Sequence, residues 1–134
     1  MTAENTLSGP RSLDENECYR FLSAAAVGRV VYTVGALPAV LPVRYRIAGD
    51  GGVLLPAPAA ELARAVVGAL VAFEAGEVSG EDGSGWSVTV LGHAEAAAAP
   101  AAAAGEPGAA AAIRIRPELV TGRLLGAGPP ALGG

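Results

Sequence analysis

The chain has 134 residues, which is enough for one domain with one modest core. It carries 13 acidic and 9 basic residues, for a net charge of −4, and every basic residue is an arginine. An acidic domain with scattered arginines argues against nucleic acid as the main partner. Only 4% of the residues are aromatic, and so thin a core favours completion by a second subunit.

A single cysteine and a single histidine limit the chemistry further. Cys18 alone allows no intrachain disulfide and no cysteine metal cluster, and we expect it to be a small core residue. His93 has no nucleophile motif to serve, so we expect a surface or interface histidine and no metal site. No signal-peptide core and no run of about 18 apolar residues is present. We therefore expect a cytoplasmic protein with no membrane partner.

The N-terminal part predicts an arm followed by a helix. Residues 1–11 have the composition of a disordered arm. Ser12 is followed three residues later by Glu15, which is the spacing of a capping box. Apolar residues then fall near one helical face, and Gly28 is predicted to end the helix.

The next stretches, "GRVVYTV" and "LPAVLPVRYRI", predict two strands of a hairpin joined by "GA". Alternation divides the second strand into two faces. One face carries Leu41, Val43, Tyr45 and Ile47, and the other carries Pro42, Arg44 and Arg46. A "GDGG" turn then leads to a third strand, "VLLPA".

The second half predicts a short helix and three more strands. "AELARAVVGAL" is the helix, with Leu62, Ala65, Val66 and Ala69 inward, and "VAFEAGEV", "WSVTVLGHAEA" and "AIRIRPELV" are the strands. Residues 96–112 predict an Ala-rich connector, and residues 126–134 a flexible tail. Six strands with short turns favour a mainly β, antiparallel sheet over residues 12–125 that forms a closed or split barrel, capped by the mid-chain helix.

Four stretches carry a family resemblance: "LDENECYRFLSAAAVGRVVYTV", "PAVLPVRYRIAGDGGVLL", "GWSVTVLGHAE" and "IRIRPELVTGR". In this order they resemble the pyridoxamine 5′-phosphate oxidase-like flavin-binding split-barrel proteins, near the small actinobacterial, nitroimidazole-reductase-like branch. The resemblance implies a six-stranded split barrel and a homodimer. It also implies a flavin site in each of two clefts between the subunits, with FMN or a deazaflavin as cofactor.

The segment after the third strand departs from that family. In the family that this chain resembles, the segment usually has a Thr-x-x-x-Thr/Ser-Lys pattern, whose hydroxyls and Lys hold the flavin phosphate. In this chain Pro56, Ala60 and Glu61 stand at those positions. Replacing the Lys by Glu removes an attraction and adds a repulsion, each worth ~1 to a few kcal/mol. Each lost hydroxyl bond to a charged group costs roughly 1.5–3 kcal/mol more. We interpret the segment as a decayed phosphate site.

Three arginines are candidates to replace the lost anchors, because a guanidinium binds phosphate bidentately. Arg44 and Arg46 share one face of the second strand, and Arg64 follows Glu61 by one helical turn. Family members more often carry Asn at the position of Arg44. The alternative is a solvated face, or an ion pair between Arg64 and Glu61.

Two further residues match family positions near the cofactor cleft. Trp86 corresponds to the Trp of the family's "GWSV", and its alternative is a core or dimer anchor. Arg123, in "TGR", could contact a ligand or a C-terminal carbonyl. No residue stands out as a catalytic acid or base.

The resemblance implies a flavin- or deazaflavin-dependent oxidoreductase that acts on a small molecule by hydride transfer in the dimer cleft. The alternative is a cofactor-free split-barrel protein, which binds a small molecule or isomerises or cyclises it, as in secondary metabolism.

Overall fold

A computed structural model describes residues 11–56, 60–97 and 112–126. Within them are eight strands and two helices. In chain order these are β1 (Arg11–Ser12), α1 (Glu15–Ala24), β2 (Val27–Val34), β3 (Leu37–Arg44), β4 (Arg46–Ile47), β5 (Val53–Leu55), α2 (Ala60–Val66), β6 (Leu70–Val78), β7 (Gly85–Ala97) and β8 (Ala112–Leu125). The rest of the predicted arm, the predicted tail from residue 127, and residues 98–111 of the predicted connector lie outside the described residues.

The strands form one antiparallel sheet in the order β3-β2-β6-β7-β8-β5-β4, with β1 beside β8. Strands β3 and β4 are the two edges of this sheet, although only Tyr45 separates them in the chain. The sheet must therefore curl until its edges approach each other. This confirms the predicted split barrel.

The strand count is eight and not the predicted six, for two reasons. The chain breaks at Tyr45, so the predicted second strand becomes β3 and β4, which pair with different neighbours. In addition, Arg11, which we placed in the arm, pairs with Leu124, and Ser12 pairs with Arg123. Both differences come from long-range pairing.

Tyr45 fixes the place where the two sheet edges meet. Its side chain is 4% exposed, and its hydroxyl donates to the carbonyl oxygen of Leu22 at 2.5 Å. Its ring meets that of Phe73 edge-on, with centroids 4.7 Å apart. Its backbone N–H donates to the carbonyl of Ala26 at 3.0 Å. Burial raises the pKa of Tyr45 to about 12.

Helix α1 begins two residues later than predicted. Asp14, and not Ser12, is the N-cap: its carboxylate accepts from the Glu17 N–H at 2.8 Å, and its own N–H donates to the Glu17 carboxylate at 3.0 Å. The helix ends at Ala24, before the predicted Gly28, which lies inside β2. Cys18 is buried on the core side, as predicted, and burial raises the pKa of its thiol.

The core lies between the inner face of the sheet and the two helices. Along β7 the buried residues alternate as a strand requires, with Trp86, Val88 and Val90 inward. Helix α2 inserts Leu62 and Val66 into this core, as predicted, whereas Ala65 is exposed. None of the helices in the described ranges is long and apolar enough to cross a membrane.

The outer face of the sheet carries a row of apolar side chains that crosses five strands. Each member lies directly opposite the next, so all share one face. We call this set the apolar row; in order across the sheet it is Val40, Val31, Ala72, Leu91 and Leu119. Its two ends are open to solvent, with Val40 59% and Leu119 53% exposed.

Candidate functional site

A cavity of about 540 Å³ opens where the two edges of the barrel meet. We call it the arginine cavity. Strand β3 contributes Arg44 to its wall and β4 contributes Arg46, and Tyr45 lies between them. The end of α1 and the segment after it form a second side, and Pro56 a third. Among the residues that the structure describes, the lining thus contains two guanidinium groups and no carboxylate.

Alternation around one buried residue explains why both arginines reach this cavity. Because Tyr45 is turned into the core, its two neighbours are both directed away from the core, and both are exposed. Within the described part of the chain, no carboxylate oxygen lies within 4.0 Å of either guanidinium. Their N–H groups are therefore available to an oxyanion.

The predicted phosphate segment contributes only Pro56 to this cavity. Ala60, Glu61 and Arg64 are exposed on α2, and none of them lines it. Among the described residues, Glu61 and Arg64 form no ion pair within 4.0 Å. The charge at the cavity is carried by the strands alone.

Trp86 and Arg123 lie apart from the arginine cavity. Trp86 is 8% exposed and packs on Phe21, with ring centroids 5.1 Å apart, which places it in the core. Arg123 is exposed on the outer face of β8 and lines a second cavity of about 330 Å³ together with Ser87, Thr89 and Thr121. The two cavities share no lining residue.

One cluster beside the second cavity was not predicted from the sequence. Two N–H groups of Arg29 donate to Glu74 Oε1 at 2.9 and 2.6 Å, and Ser87 Oγ donates to Glu74 Oε2 at 3.0 Å. Alternation indicates the face of each residue. The contact between Arg29, Glu74 and Ser87 depends on the pairing of β2, β6 and β7, which the sequence does not give.

His93 lies on the outer face, as expected for a surface or interface histidine. A bulge between Leu91 and Gly92 brings Glu118 beside it, with 2.5 Å between His93 Nδ1 and Glu118 Oε2. This hydrogen bond holds the pKa of Glu118 below its usual range. The partner of His93 could not be found from the sequence, because it depends on the shifted register.

Two solved structures resemble this chain closely. A FAD binding protein from Mycobacterium smegmatis is 29% identical with a TM-score of 0.69, and the match covers 85% of this chain and 96% of that one. A candidate pyridoxamine 5′-phosphate oxidase from Corynebacterium glutamicum is 26% identical with a TM-score of 0.68, and the match covers 90% and 96%.

Sequence comparison points in the same direction. An uncharacterized protein of Mycobacterium tuberculosis, Rv0080, is 37% identical over 87 residues, which are 61% of this chain. The chain spans only 57% of the length of that curated relative. The profile of the pyridoxamine 5′-phosphate oxidase family matches residues 14–124, which include nearly all of the barrel. The chain therefore belongs to the pyridoxamine 5′-phosphate oxidase family.

Proposed function

We propose that the chain binds a flavin, FMN or a deazaflavin, at the arginine cavity and serves as an oxidoreductase acting on a small molecule. The observation that carries the proposal is the pair of guanidinium groups in a cavity that no carboxylate of the described residues lines. The 29% identical FAD binding protein from M. smegmatis supports a flavin as the ligand. The residues present fit the phosphate of such a group, because two arginines can donate to it together.

In this proposal Arg44 and Arg46 hold the phosphate, and Pro56, Ile47 and the end of α1 limit access of water to it. When bound, the flavin supplies hydride transfer to or from the substrate. The chain itself binds the flavin, orients it and shields it from water. Tyr45 is a positioning residue: its hydrogen bond to Leu22 keeps the two arginines on the cavity side of the junction.

An absorbance spectrum tests the proposal directly. Freshly purified protein is scanned alone and after separate additions of FMN, FAD and a deazaflavin, followed by removal of unbound ligand. We expect retention of the visible absorbance of at least one of these cofactors. Protein that retains none of them would refute the proposal.

We also propose that the apolar row is covered by a second copy of this chain. A row that crosses five strands spans about 19 Å, and on a two-fold axis it can pack against itself. The thin aromatic content and the exposed ends of the row support a homodimer.

Sedimentation velocity tests the dimer. Wild type should sediment at twice the chain mass, and Val40→Asp should yield monomer, since it places a charge in the row. Val78→Asp is the matched control, because Val78 is 60% exposed and lies outside the row. Monomeric wild type, or a Val40→Asp protein that remains dimeric, would contradict the assignment.

One observation favours the alternative of a cofactor-free protein. Pro56, Ala60 and Glu61 stand where the resembled family anchors its phosphate, and Glu61 adds a negative charge there. A barrel that binds or rearranges an uncharged small molecule without a flavin would need none of those phosphate anchors. The same spectra separate the two functions.

A further inference from the structure

The hairpin made by β4 and β5 forms one wall of the arginine cavity. It contributes Arg46 and Ile47 from β4, and Pro56, which directly follows β5. Arg44 belongs to β3, at the other edge of the sheet. The separation of the two guanidinium groups therefore depends on where the β4–β5 hairpin lies relative to the rest of the barrel.

Few backbone pairs attach this hairpin to the sheet. Strand β4 is an edge strand of two residues, which pairs with β5 at Arg46 and Ile47. Strand β5 pairs in turn with β8 over three residues, Val53–Leu55. A two-stranded hairpin has little stability of its own, so its position depends on the contacts that tie it to the rest of the fold.

Arg114 of β8 ties the turn of this hairpin to the sheet. Its Nη2 donates to Asp50 Oδ2 in the turn at 2.5 Å, and its Nε lies 3.5 Å from Glu95 Oε2 on β7. We call Asp50, Arg114 and Glu95 the latch. The hydrogen bond from Arg114 holds the pKa of Asp50 below its usual range, so the contact joins opposite charges at neutral pH. The latch connects the turn through β8 to β7.

Two glycines of the turn allow the latch to close. Gly51 has a φ of +92°, which other residues rarely adopt, and a Cβ there would lie 2.9 Å from the hydroxyl oxygen of Tyr19 on α1. Gly52 lies against the guanidinium, since a Cβ there would be 2.7 Å from Arg114 Cζ. The turn thus fits between a tyrosine of α1 and the arginine of β8, and contacts both.

We propose that Arg114 and Asp50 are positioning residues for the arginine cavity, which hold the β4–β5 hairpin against β8 and so keep Arg46 beside Arg44. Neither of them lines the cavity, so they act through Arg46. The inference rests on the proposed flavin function, because the task it assigns to Arg46 is binding of the flavin phosphate. Loss of the latch should therefore reduce selectivity for the phosphate, and not affinity for the flavin ring.

The first test follows amide hydrogen exchange by NMR in the ¹⁵N-labelled, ligand-free full chain. The amides of Val53–Leu55 report the attachment to β8, and the Ala48 N–H, which donates to the Gly52 carbonyl at 2.8 Å, reports closure of the turn. In Arg114→Gln these amides should exchange at least about threefold faster, which is within the range for loss of an exposed ion pair.

A double-mutant cycle shows whether the two residues act together. Asp50→Asn should accelerate the same amides, and the double variant with Arg114→Gln should exchange no faster than either single variant. Arg116→Gln is the matched control, because Arg116 shares a face of β8 with Arg114 and lies 4.0 Å from Glu95, yet makes no ion pair with Asp50. Its amides should exchange at the wild-type rate.

The second test compares the affinities of wild type and Arg114→Gln for FMN and for riboflavin, which lacks the phosphate. The preference for FMN should fall by about threefold or more, while riboflavin affinity stays at the wild-type value, because a general loosening would weaken both ligands. A wild type without preference for FMN would refute the flavin proposal alone, since the exchange rates are measured without ligand.

Three results would overturn the latch. The first is unchanged exchange in Arg114→Gln and Asp50→Asn, or equal acceleration in Arg116→Gln. The second is a double variant in which the two effects add. The third is a wild-type preference for FMN that Arg114→Gln retains in full.

Discussion

The junction of β3 and β4 and the start of α2 are two regions that could each supply positive charge to a phosphate, and only the first brings arginines to a cavity. At the junction, one buried tyrosine directs Arg44 and Arg46 to the same cavity. At the start of α2, Ala60 and Glu61 are exposed and lie outside that cavity. The difference teaches that side-chain alternation around a core residue can bring two guanidinium groups to one cavity from strands, independently of a helix start.

The largest expected effect comes from removing the charge at the junction. Arg44→Ala combined with Arg46→Ala should lower FMN affinity by about 100-fold or more, because each charge-assisted bond contributes roughly 1.5–3 kcal/mol. Calorimetric titration measures the change. Arg64→Ala is the control and should leave the affinity unchanged; an equal loss in the control would mean that α2, and not the junction, binds the phosphate.

The second effect concerns the tyrosine that holds the junction. Burial raises the pKa of Tyr45 from 10.0 to about 12, so between these values the unfolded chain ionises while the folded chain does not. The contribution of Tyr45 to the free energy of unfolding should therefore be intact below pH 10 and fall by about 1.4 kcal/mol per pH unit above it, until the folded pKa is passed.

Urea unfolding between pH 9 and about 11.5 measures this slope. Tyr45→Phe should reduce it to the remaining contributions of Tyr19 and Cys18, whose pKa values burial also raises. Tyr32→Phe is the control and should keep the slope. If Tyr45→Phe unfolds with the wild-type pH dependence, Tyr45 does not fix the junction.

The smallest effect is expected at the start of α2. Glu61→Lys with Ala60→Thr restores the residues of the resembled family, yet FMN affinity should change by less than about threefold, which corresponds to under about 0.7 kcal/mol. Neither residue lines the arginine cavity, and Glu61 is exposed to screening solvent. Titration of this double variant with FMN measures the change, and a tightening of tenfold or more would place the phosphate at α2 and remove the contrast between the two regions.

Local patterns were enough to predict which face each residue of the junction occupies. Side-chain alternation predicted that Arg44 and Arg46 lie on one face and Tyr45 on the other, as observed. The same pattern could not reveal that the strand breaks at Tyr45, because the break is imposed by closure of the barrel. Likewise Ser12 and Asp14 both have a Glu three residues later. Ser12 cannot serve as the cap because it pairs with Arg123 in the sheet.

Groups of side chains from neighbouring strands could not be predicted from the sequence for a related reason. The second cavity requires Ser87 opposite Arg123 and Thr89 opposite Thr121. A one-residue shift in register would move every one of these side chains to the other face. β7 and β8 also contain a bulge after Leu91, so the register on one side of it does not give the register on the other.

The central claim, that Arg44 and Arg46 hold a flavin phosphate, is tested most directly by comparing FMN with riboflavin, which lacks the phosphate. Both ligands are titrated into wild type and into the Arg44→Ala, Arg46→Ala variant. The account predicts that wild type binds FMN at least about 100-fold more tightly than riboflavin, and that the variant binds the two equally. Equal binding by wild type, or a preference for FMN that persists in the variant, would contradict it.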